Sequence, residues 1–313
     1  MTIQNIFNNV HENVQHIDYN IIINVIIHND LPDIKYRHCT CIVLLQSLKE
    51  YNTLFVDLNE DILRLIFEEL AEVKSNIIKT FNASAALTED GRVITWGNPI
   101  NGGNSSRVAE VLASNIVEVV ATDCAFAART KDGKVVTWGR PDYGGDSSMV
   151  AKELVEGVEQ VVATWRAFAA VVKGGRVVTW GVAEWGGDSR EVSEILEKGV
   201  MQIVSTAGAF AALTKSGKVV SWGHIEWGGD SRKVDKYLAE GGIQVAATNF
   251  AFAAVMKGGR VVSWGHPDYG GDSSWVEEAL ERNVEKMVSL SNDIFIAIKK
   301  DGRKVKWGWG DLC

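Results

Sequence analysis

The chain has 313 residues, of which 46% are hydrophobic and 23% charged, so it has enough apolar material for a sizeable folded core. Its 32 basic and 40 acidic residues give a formal net charge of −8 and an isoelectric point near 5.4. This balance argues against a general nucleic-acid binder, which needs a dominant basic face, and we expect no direct contact with nucleic acid.

The N-terminus shows neither a signal peptide nor a membrane span. Residues Met1–Val14 are polar, and the apolar run Ile21–Ile27 is interrupted by Asn24. That run is far shorter than the roughly 20 residues that cross a bilayer. We therefore expect a cytoplasmic protein.

The four cysteines, at positions 39, 41, 124 and 313, form no paired framework. Cys39 and Cys41 stand beside His38, but a second ligand pair with zinc spacing is missing. We expect reduced thiols, no metal and no other cofactor.

A Trp-Gly pair recurs along the chain in steps of 42, 42, 42, 42 and 43 residues. Its tryptophans are Trp96, Trp138, Trp180, Trp222, Trp264 and Trp307. A period this regular indicates one small structural unit copied in tandem and stacked on its neighbours. The six clear repeats cover residues 76–313.

Each unit has the pattern of three strands followed by a short helix. In the third clear copy the first strand ends near Thr164, the second covers Ala167–Val172 and the third covers Arg176–Trp180. The Gly-Gly-Asp-Ser segment that follows has Asp188 three residues before Glu191, which predicts a capping box at a helix start.

A degenerate copy precedes the six clear ones, at residues 34–75. Leu54 takes the place of Trp96, and Ile66 and Leu70 fall where later copies have Val108 and Leu112. Residues 1–33 contain an apolar segment at the helix position, and we predict that they close the array into a ring. The expected fold is mainly β: a seven-bladed β-propeller over residues 34–313, because closure removes exposed sheet edges. The alternative is an open solenoid.

With its Trp-Gly pair, preceding strand and Gly-rich turn, the unit resembles the regulator-of-chromosome-condensation repeat. The resemblance is clear over about residues 80–313 and weaker over 35–80. It departs from the family pattern at Ala167-Phe168 and its equivalents, where the family has His-Thr, and at Gly-Gly-Asp-Ser, where it has Gly-Gln-Leu-Gly.

The resemblance implies a function as well as a propeller fold. The founding member of that family is a nucleotide exchange factor for the small GTPase Ran, and bacterial effectors with such repeats are similar in acting on Ran. The resemblance therefore implies a monomer that binds a Ran-type GTPase or its regulators, promotes guanine-nucleotide exchange and works in the host cytosol as an effector.

Antiparallel strand order places two sets of loops on one rim of the disk. One set pairs an acid with an aromatic residue at the same phase of each unit, and aromatic side chains with outward acids are suited to docking a protein. The second set varies between units, and its most divergent pairs, Trp165-Arg166 and Asn249-Phe250, are the preferred anchors for a partner. The predicted partner-binding residues are Asp142, Tyr143, Trp165, Arg166, Glu184, Trp185, Glu226, Trp227, Asn249, Phe250, Asp268 and Tyr269. Packing of these aromatics between units is the competing interpretation.

Turns on the opposite rim are rich in lysine and arginine, from Arg92 to Lys304. They predict either a basic ring that meets an acidic protein or anionic lipid, or solvated turns; we favour solvated turns and expect little membrane contact.

The residues contain no set suited to covalent catalysis. Two functions besides GTPase binding stay open. Residues Leu58–Leu70 resemble the opening helix of an F-box, which implies a ubiquitin-ligase substrate adaptor, although Ile66 and Leu70 also keep the repeat phase. The near-identity of the repeats is also compatible with a non-catalytic scaffold.

Overall fold

The computed structural model describes residues 76–291 and 293–309. Over these residues the chain forms 18 strands in six three-stranded antiparallel sheets, which we number as blades 1 to 6 in chain order. Blades 1 to 3 contain β1 (Asn76–Lys79), β2 (Ala83–Leu87), β3 (Val93–Gly97), β4 (Ile116–Ala121), β5 (Ala125–Thr130), β6 (Val135–Gly139), β7 (Val158–Ala163), β8 (Ala167–Val172) and β9 (Arg176–Gly181). Blades 4 to 6 contain β10 (Val200–Ser205), β11 (Ala209–Thr214), β12 (Val219–Gly223), β13 (Gly242–Ala247), β14 (Ala251–Met256), β15 (Val261–Gly265), β16 (Val284–Ser291), β17 (Ile294–Lys299) and β18 (Lys304–Gly308).

The connections between blades contain only short helical turns. One-turn α-helices are α1 (Ala109–Leu112), α2 (Ser193–Leu196), α3 (Asp235–Leu238) and α4 (Glu277–Leu280). The 3₁₀ turns are Ser106–Val108, Pro141–Tyr143, Ser148–Glu153, Ala183–Trp185, Arg190–Val192, Ile225–Trp227, Pro267–Tyr269 and Ser274–Val276, and a wider turn covers Pro99–Gly103.

Apolar residues are buried between successive blades. The first four residues of each second strand are small or apolar on both faces, and in blade 3 Ala167, Phe168, Ala169 and Ala170 are all fully buried. One face of blade 3 packs with Phe210, Leu196 and Trp222 of the next unit, and equivalent clusters join each described pair of neighbours. The continuous apolar run, in place of strict alternation, follows from having a blade on each side.

A phenylalanine and the signature tryptophan form the contact that joins one blade to the one before. Phe210 packs with Trp222 at 5.4 Å between ring centroids, and the Trp222 Nε1–H donates to the carbonyl of Gly186 in the preceding connection at 3.1 Å. Gly186 has a φ of +95°, and a Cβ there would lie 2.5 Å from the Phe210 ring. The glycine therefore provides both the turn and the space that the ring occupies. The same tryptophan bond recurs from Trp138, Trp180, Trp264 and Trp307.

First strands of neighbouring blades are joined by glutamine side chains. In blades 2 to 6 the first strand pairs with the second, and the register of this pairing shifts after the first residue of the first strand, as in a β-bulge. The glutamine after the bulge reaches the next blade: Gln160 donates to the carbonyl of Ile203 at 3.0 Å and accepts from its N–H at 3.2 Å. Gln244 clamps Met287 in the same way, and Gln202 donates to Val245.

The three predicted strands per unit are confirmed, but the predicted capping box is wrong. Asp188 accepts from the backbone N–H of Arg190, two residues on, and not from that of Glu191, and it pairs with the Arg190 guanidinium. The predicted helical turn does follow, as the 3₁₀ turn Arg190–Val192 and the one-turn helix Ser193–Leu196. Ser189 hydrogen-bonds Thr179 of the preceding strand, so the motif ties the loop to the blade. A local side-chain bond of this kind competes with helix capping. The degenerate repeat at 34–75 and the closing segment 1–33 lie outside the described residues.

We expect Gly186→Ala to lower the free energy of unfolding by about 3 kcal/mol or more, because it adds both backbone strain and a steric clash with Phe210. Gly174→Ala is the matched control, since Gly174 has a φ of +93° and nothing within 4 Å of its added Cβ. It should lose only the backbone cost of about 1–2 kcal/mol. Equal losses in urea denaturation would contradict the proposed packing role.

Candidate functional site

The turns between first and second strands form a hydrogen-bonded arc across five blades. The backbone N–H of Phe81 donates to Asp123, that of Asp123 to Trp165, that of Trp165 to Ala207 and that of Ala207 to Asn249, at 2.7–2.8 Å. We call these the inner turns, and the loops after the third strands the outer loops. Together they form one rim, which we call the upper rim.

In blades 1 to 5, a threonine just after the first strand fixes the outer loop of the same blade. The Thr164 hydroxyl donates to the carbonyl of Trp185 at 3.0 Å and accepts from the N–H of Ala167. The same bond, at 2.9–3.0 Å, joins Thr122 to Tyr143, Thr206 to Trp227 and Thr248 to Tyr269. This repeated bond from a threonine hydroxyl to a backbone carbonyl holds each acid–aromatic pair at the equivalent position in its blade.

The aromatic side chains of these loops contact one another from blade to blade. Trp165 stacks on Trp185 at 5.9 Å and meets Trp227 edge-on at 5.3 Å and Phe250 at 6.1 Å. Tyr269 extends the series, with Phe250 at 4.6 Å. We call this series of rings the aromatic belt. Trp309 stacks on Tyr269 at one end, and Tyr143 joins the other end through Arg166. Trp165 and Trp309 are exposed, by 40% and 57%, and the other rings are half-buried.

Gly208 makes the centre of the belt possible. A Cβ on this residue would lie 2.6 Å from the Trp227 ring and 3.0 Å from the Cβ of His224. Because Gly208 has no side chain, the Trp227 ring can lie against the inner turn of blade 4 and still contact Trp165. The sequence shows Ala207-Gly208 only as a variable pair, and nothing in it indicates that the glycine serves a neighbouring ring.

Arginines and aromatics alternate at the blade 2 end of the belt. Arg140 lies over Tyr143 at 4.8 Å, and Arg166 lies over Tyr143 at 5.2 Å and Trp185 at 4.6 Å. Such cation–π contacts hold the guanidinium groups in fixed places. Burial raises the pKa of the nearby Asp123 carboxyl, and the Arg166 charge opposes that shift.

The acids of the outer loops differ in their partners. Asp142 is paired with Arg140 at 2.8 Å, and this hydrogen bond holds the pKa of the Asp142 carboxyl below its usual range. Glu184, Glu226 and Asp268 are exposed, and among the described residues no lysine or arginine lies within ion-pair distance of them.

The structure brings eleven of the twelve predicted partner-binding residues to this rim as described, and Asn249 contributes through its backbone at the end of the inner arc. His224 and His266 are half-buried: His224 packs on Trp227 at 4.6 Å and His266 on Tyr269 at 4.9 Å. Trp309 stacks on Tyr269 at 5.7 Å and was not predicted. Its position just after a Trp-Gly pair was the available signal.

The opposite rim is less basic than its turns alone suggest. The N–H of Gly157 donates to Asp132, which brings the segment before the next blade against the basic turn. That segment and its equivalents carry exposed acids: Glu156, Glu197, Glu240 and Glu281. Lys299 is buried and donates to the carbonyl of Ala279. These acids are interspersed with the basic turns, which supports the interpretation of solvated turns.

The described residues contain no group of His, Cys, Asp and Glu side chains arranged to hold a metal ion. In the same part of the chain, no helix is long and apolar enough to cross a membrane. Cys124 is a buried free thiol whose pKa is raised by burial.

No model of a known protein family matches the chain, and no curated protein matches it. Solved structures that resemble it include Prp20p from Saccharomyces cerevisiae, whose binding to Gsp1p and histones was described with its structure; it is 18% identical, with 78% of this chain and 73% of Prp20p covered and a TM-score of 0.46. Human WBSCR16 is 14% identical, with 76% and 77% covered and a TM-score of 0.48. Yeast RCC1 (Prp20) bound to Kap60 is 16% identical, with 78% and 71% covered and a TM-score of 0.47. At these identities the similarity concerns the course of the backbone and says nothing about what this chain binds.

We expect Gly208→Ala to displace Trp227, to change the near-ultraviolet circular dichroism of the coupled rings and to cost about 1–3 kcal/mol of stability. In a Trp227→Ala background most of that cost should vanish, because the clash has been removed. If Gly208→Ala costs the same in both backgrounds, the glycine does not serve the belt.

Proposed function

We propose that this protein is an interaction module whose upper rim binds a small GTPase of the Ran type, or a protein of its cycle, and promotes nucleotide exchange. In this proposal it acts in the host cytosol as an effector, residues 34–75 supply a seventh blade and residues 1–33 close the ring.

The observation that carries the proposal is the aromatic belt, in which Trp165 and Trp309 are exposed and the other rings are half-buried. A row of rings that crosses several blades is unusual on a surface that only needs to be soluble, because exposed aromatic area favours association. Trp165 lies at its centre and contacts rings from its own blade and the next two. Buried interface anchors are typically Trp, Tyr and Arg, which are the residues found here.

Rigidity of the rim also supports a docking role. The inner turns are joined by backbone hydrogen bonds and the outer loops by threonine hydroxyls. A surface that is already ordered loses little conformational entropy on binding, so more of the contact energy is available for affinity.

Nucleotide exchange needs no covalent chemistry, which agrees with the absence of a catalytic set among the predicted site residues. An exchange factor must bind the nucleotide-free GTPase more tightly than the nucleotide-bound form. An exposed carboxylate such as that of Glu226 supports this step, since it can compete with the nucleotide phosphates for a lysine of the GTPase. The choice of a Ran-type partner rests on the resemblance of the repeat.

The test follows release of fluorescent GDP from preloaded Ran in the presence of excess unlabelled nucleotide. We expect the protein to accelerate release, and the Trp165→Ala/Arg166→Ala double variant to lose on the order of tenfold or more of that acceleration, as for a central anchor. Trp275→Ala is the control, because Trp275 is a 59% exposed tryptophan on a blade connection outside the belt.

Release at the uncatalysed rate would exclude direct exchange. Nucleotide-free Ran should then be tested for binding by itself, and lack of binding would overturn the proposed partner. An unbiased pulldown with the double variant as its reference would then compare the adaptor and scaffold alternatives.

A further inference from the structure

We propose that the part of the upper rim formed by blades 3 to 5 binds an extended basic segment of the partner, with lysine or arginine side chains against its acid–aromatic pairs. This inference rests on the proposed function, because it names what the same rim recognises. Its three pairs are Glu184-Trp185, Glu226-Trp227 and Asp268-Tyr269, and we call this part the acidic sector.

Charge distinguishes the acidic sector from blade 2. In blade 2 the first residue of the outer loop is Arg140, which neutralises Asp142. At the same phase the sector has Val182, His224 and His266, so its three exposed acids have no arginine two residues before them. The arginines further along, Arg190 and Arg232, pair with Asp188 and Asp230. Blade 1 has Ile100 at the acid position. Among the outer-loop acids of the acid–aromatic pairs, those without an ion-pair partner therefore lie in blades 3 to 5.

The chain itself shows that these rings accept a guanidinium. Arg166 lies with its Cζ 4.6 Å from the centroid of Trp185 and 5.2 Å from that of Tyr143. In the next two inner turns its place is taken by Gly208 and Phe250, neither of which carries charge. The rings of Trp227 and Tyr269 thus lack the internal cation that Trp185 has, while each keeps an exposed acid beside it.

Aromatic rings and carboxylates together select a cation. A carboxylate pairs with an ammonium or guanidinium, and the face of an indole attracts the same group through its quadrupole. The pairs repeat at one phase of the 42-residue unit, so equivalent contacts recur from blade to blade. A segment with several spaced basic residues fits this arrangement better than a single charge.

The experiment measures fluorescence anisotropy of two labelled peptides, one of alternating arginine and glycine and one in which glutamate replaces arginine. Wild-type protein should bind the arginine peptide, with affinity that falls as salt rises, and should not bind the glutamate peptide. The triple variant Glu184→Gln/Glu226→Gln/Asp268→Asn should weaken binding by on the order of tenfold or more.

A control variant has the same chemistry at another place. Glu194→Gln/Glu278→Gln removes two exposed acids from the blade connections. Circular dichroism melting checks that each variant is folded.

Binding of the arginine peptide by the triple variant at wild-type strength, or equal weakening by the control variant, would overturn the inference. So would equal binding of both peptides. If Ran binding is lost with Trp165→Ala/Arg166→Ala but unchanged in the triple variant, the proposed function stands and the basic-segment inference fails. If the arginine peptide binds through the acidic sector but Ran does not bind, the inference stands and the proposed partner is wrong.

Discussion

The packing of a Phe–Trp pair on a glycine of the preceding unit is the contact on which the rest of the array depends. It fixes the distance between blades, because the Trp Nε1–H must reach one carbonyl 36 residues earlier, and it does so at 3.0–3.1 Å in blades 2 to 5. Since the interaction combines a directed hydrogen bond with ring packing, small errors in spacing are costly. The strict period of the sequence follows from this geometry.

Regular spacing of the blades is also what assembles the upper rim. Single outer loops present one aromatic residue each, and only when neighbouring loops are held at constant separation do their rings touch. The backbone arc of the inner turns and the threonine bonds transmit that spacing from the cores to the surface. Trp185 and Trp227, one period apart, come to 5.0 Å because the units below them are spaced by their own packing.

The sequence indicates the strands well, because the chain repeats the same strand and turn signals in six units, and an ambiguous signal in one unit is resolved by the others. It predicts the helical turn after Gly-Gly-Asp-Ser but not the bond at its start, because Asp188 can accept from the N–H either two or three residues on, and both options satisfy the same local pattern. The sequence does not indicate which side chains contact one another between units. Gly208 and the paired state of Asp142 depend on which side chains a neighbouring turn supplies, and spacing along the chain carries no such information.

Blade 1 departs from the repeated pattern both in its core and on the upper rim. Its second strand has Ser84 where blades 2 to 6 have phenylalanine, and the residues one period before its glycines Gly102 and Gly103 are Glu60 and Asp61. The phenylalanine of the Phe–Trp pair and the glycine that seats it are thus absent from the sequence here, although Trp96 is present. The same blade has Ile100 and Asn101 in place of an acid–aromatic pair, so the residues that differ at the core and those that differ on the rim fall in one repeat. The aromatic belt and the shared packing therefore have a common boundary, which is expected if the belt requires neighbours held by the same contact.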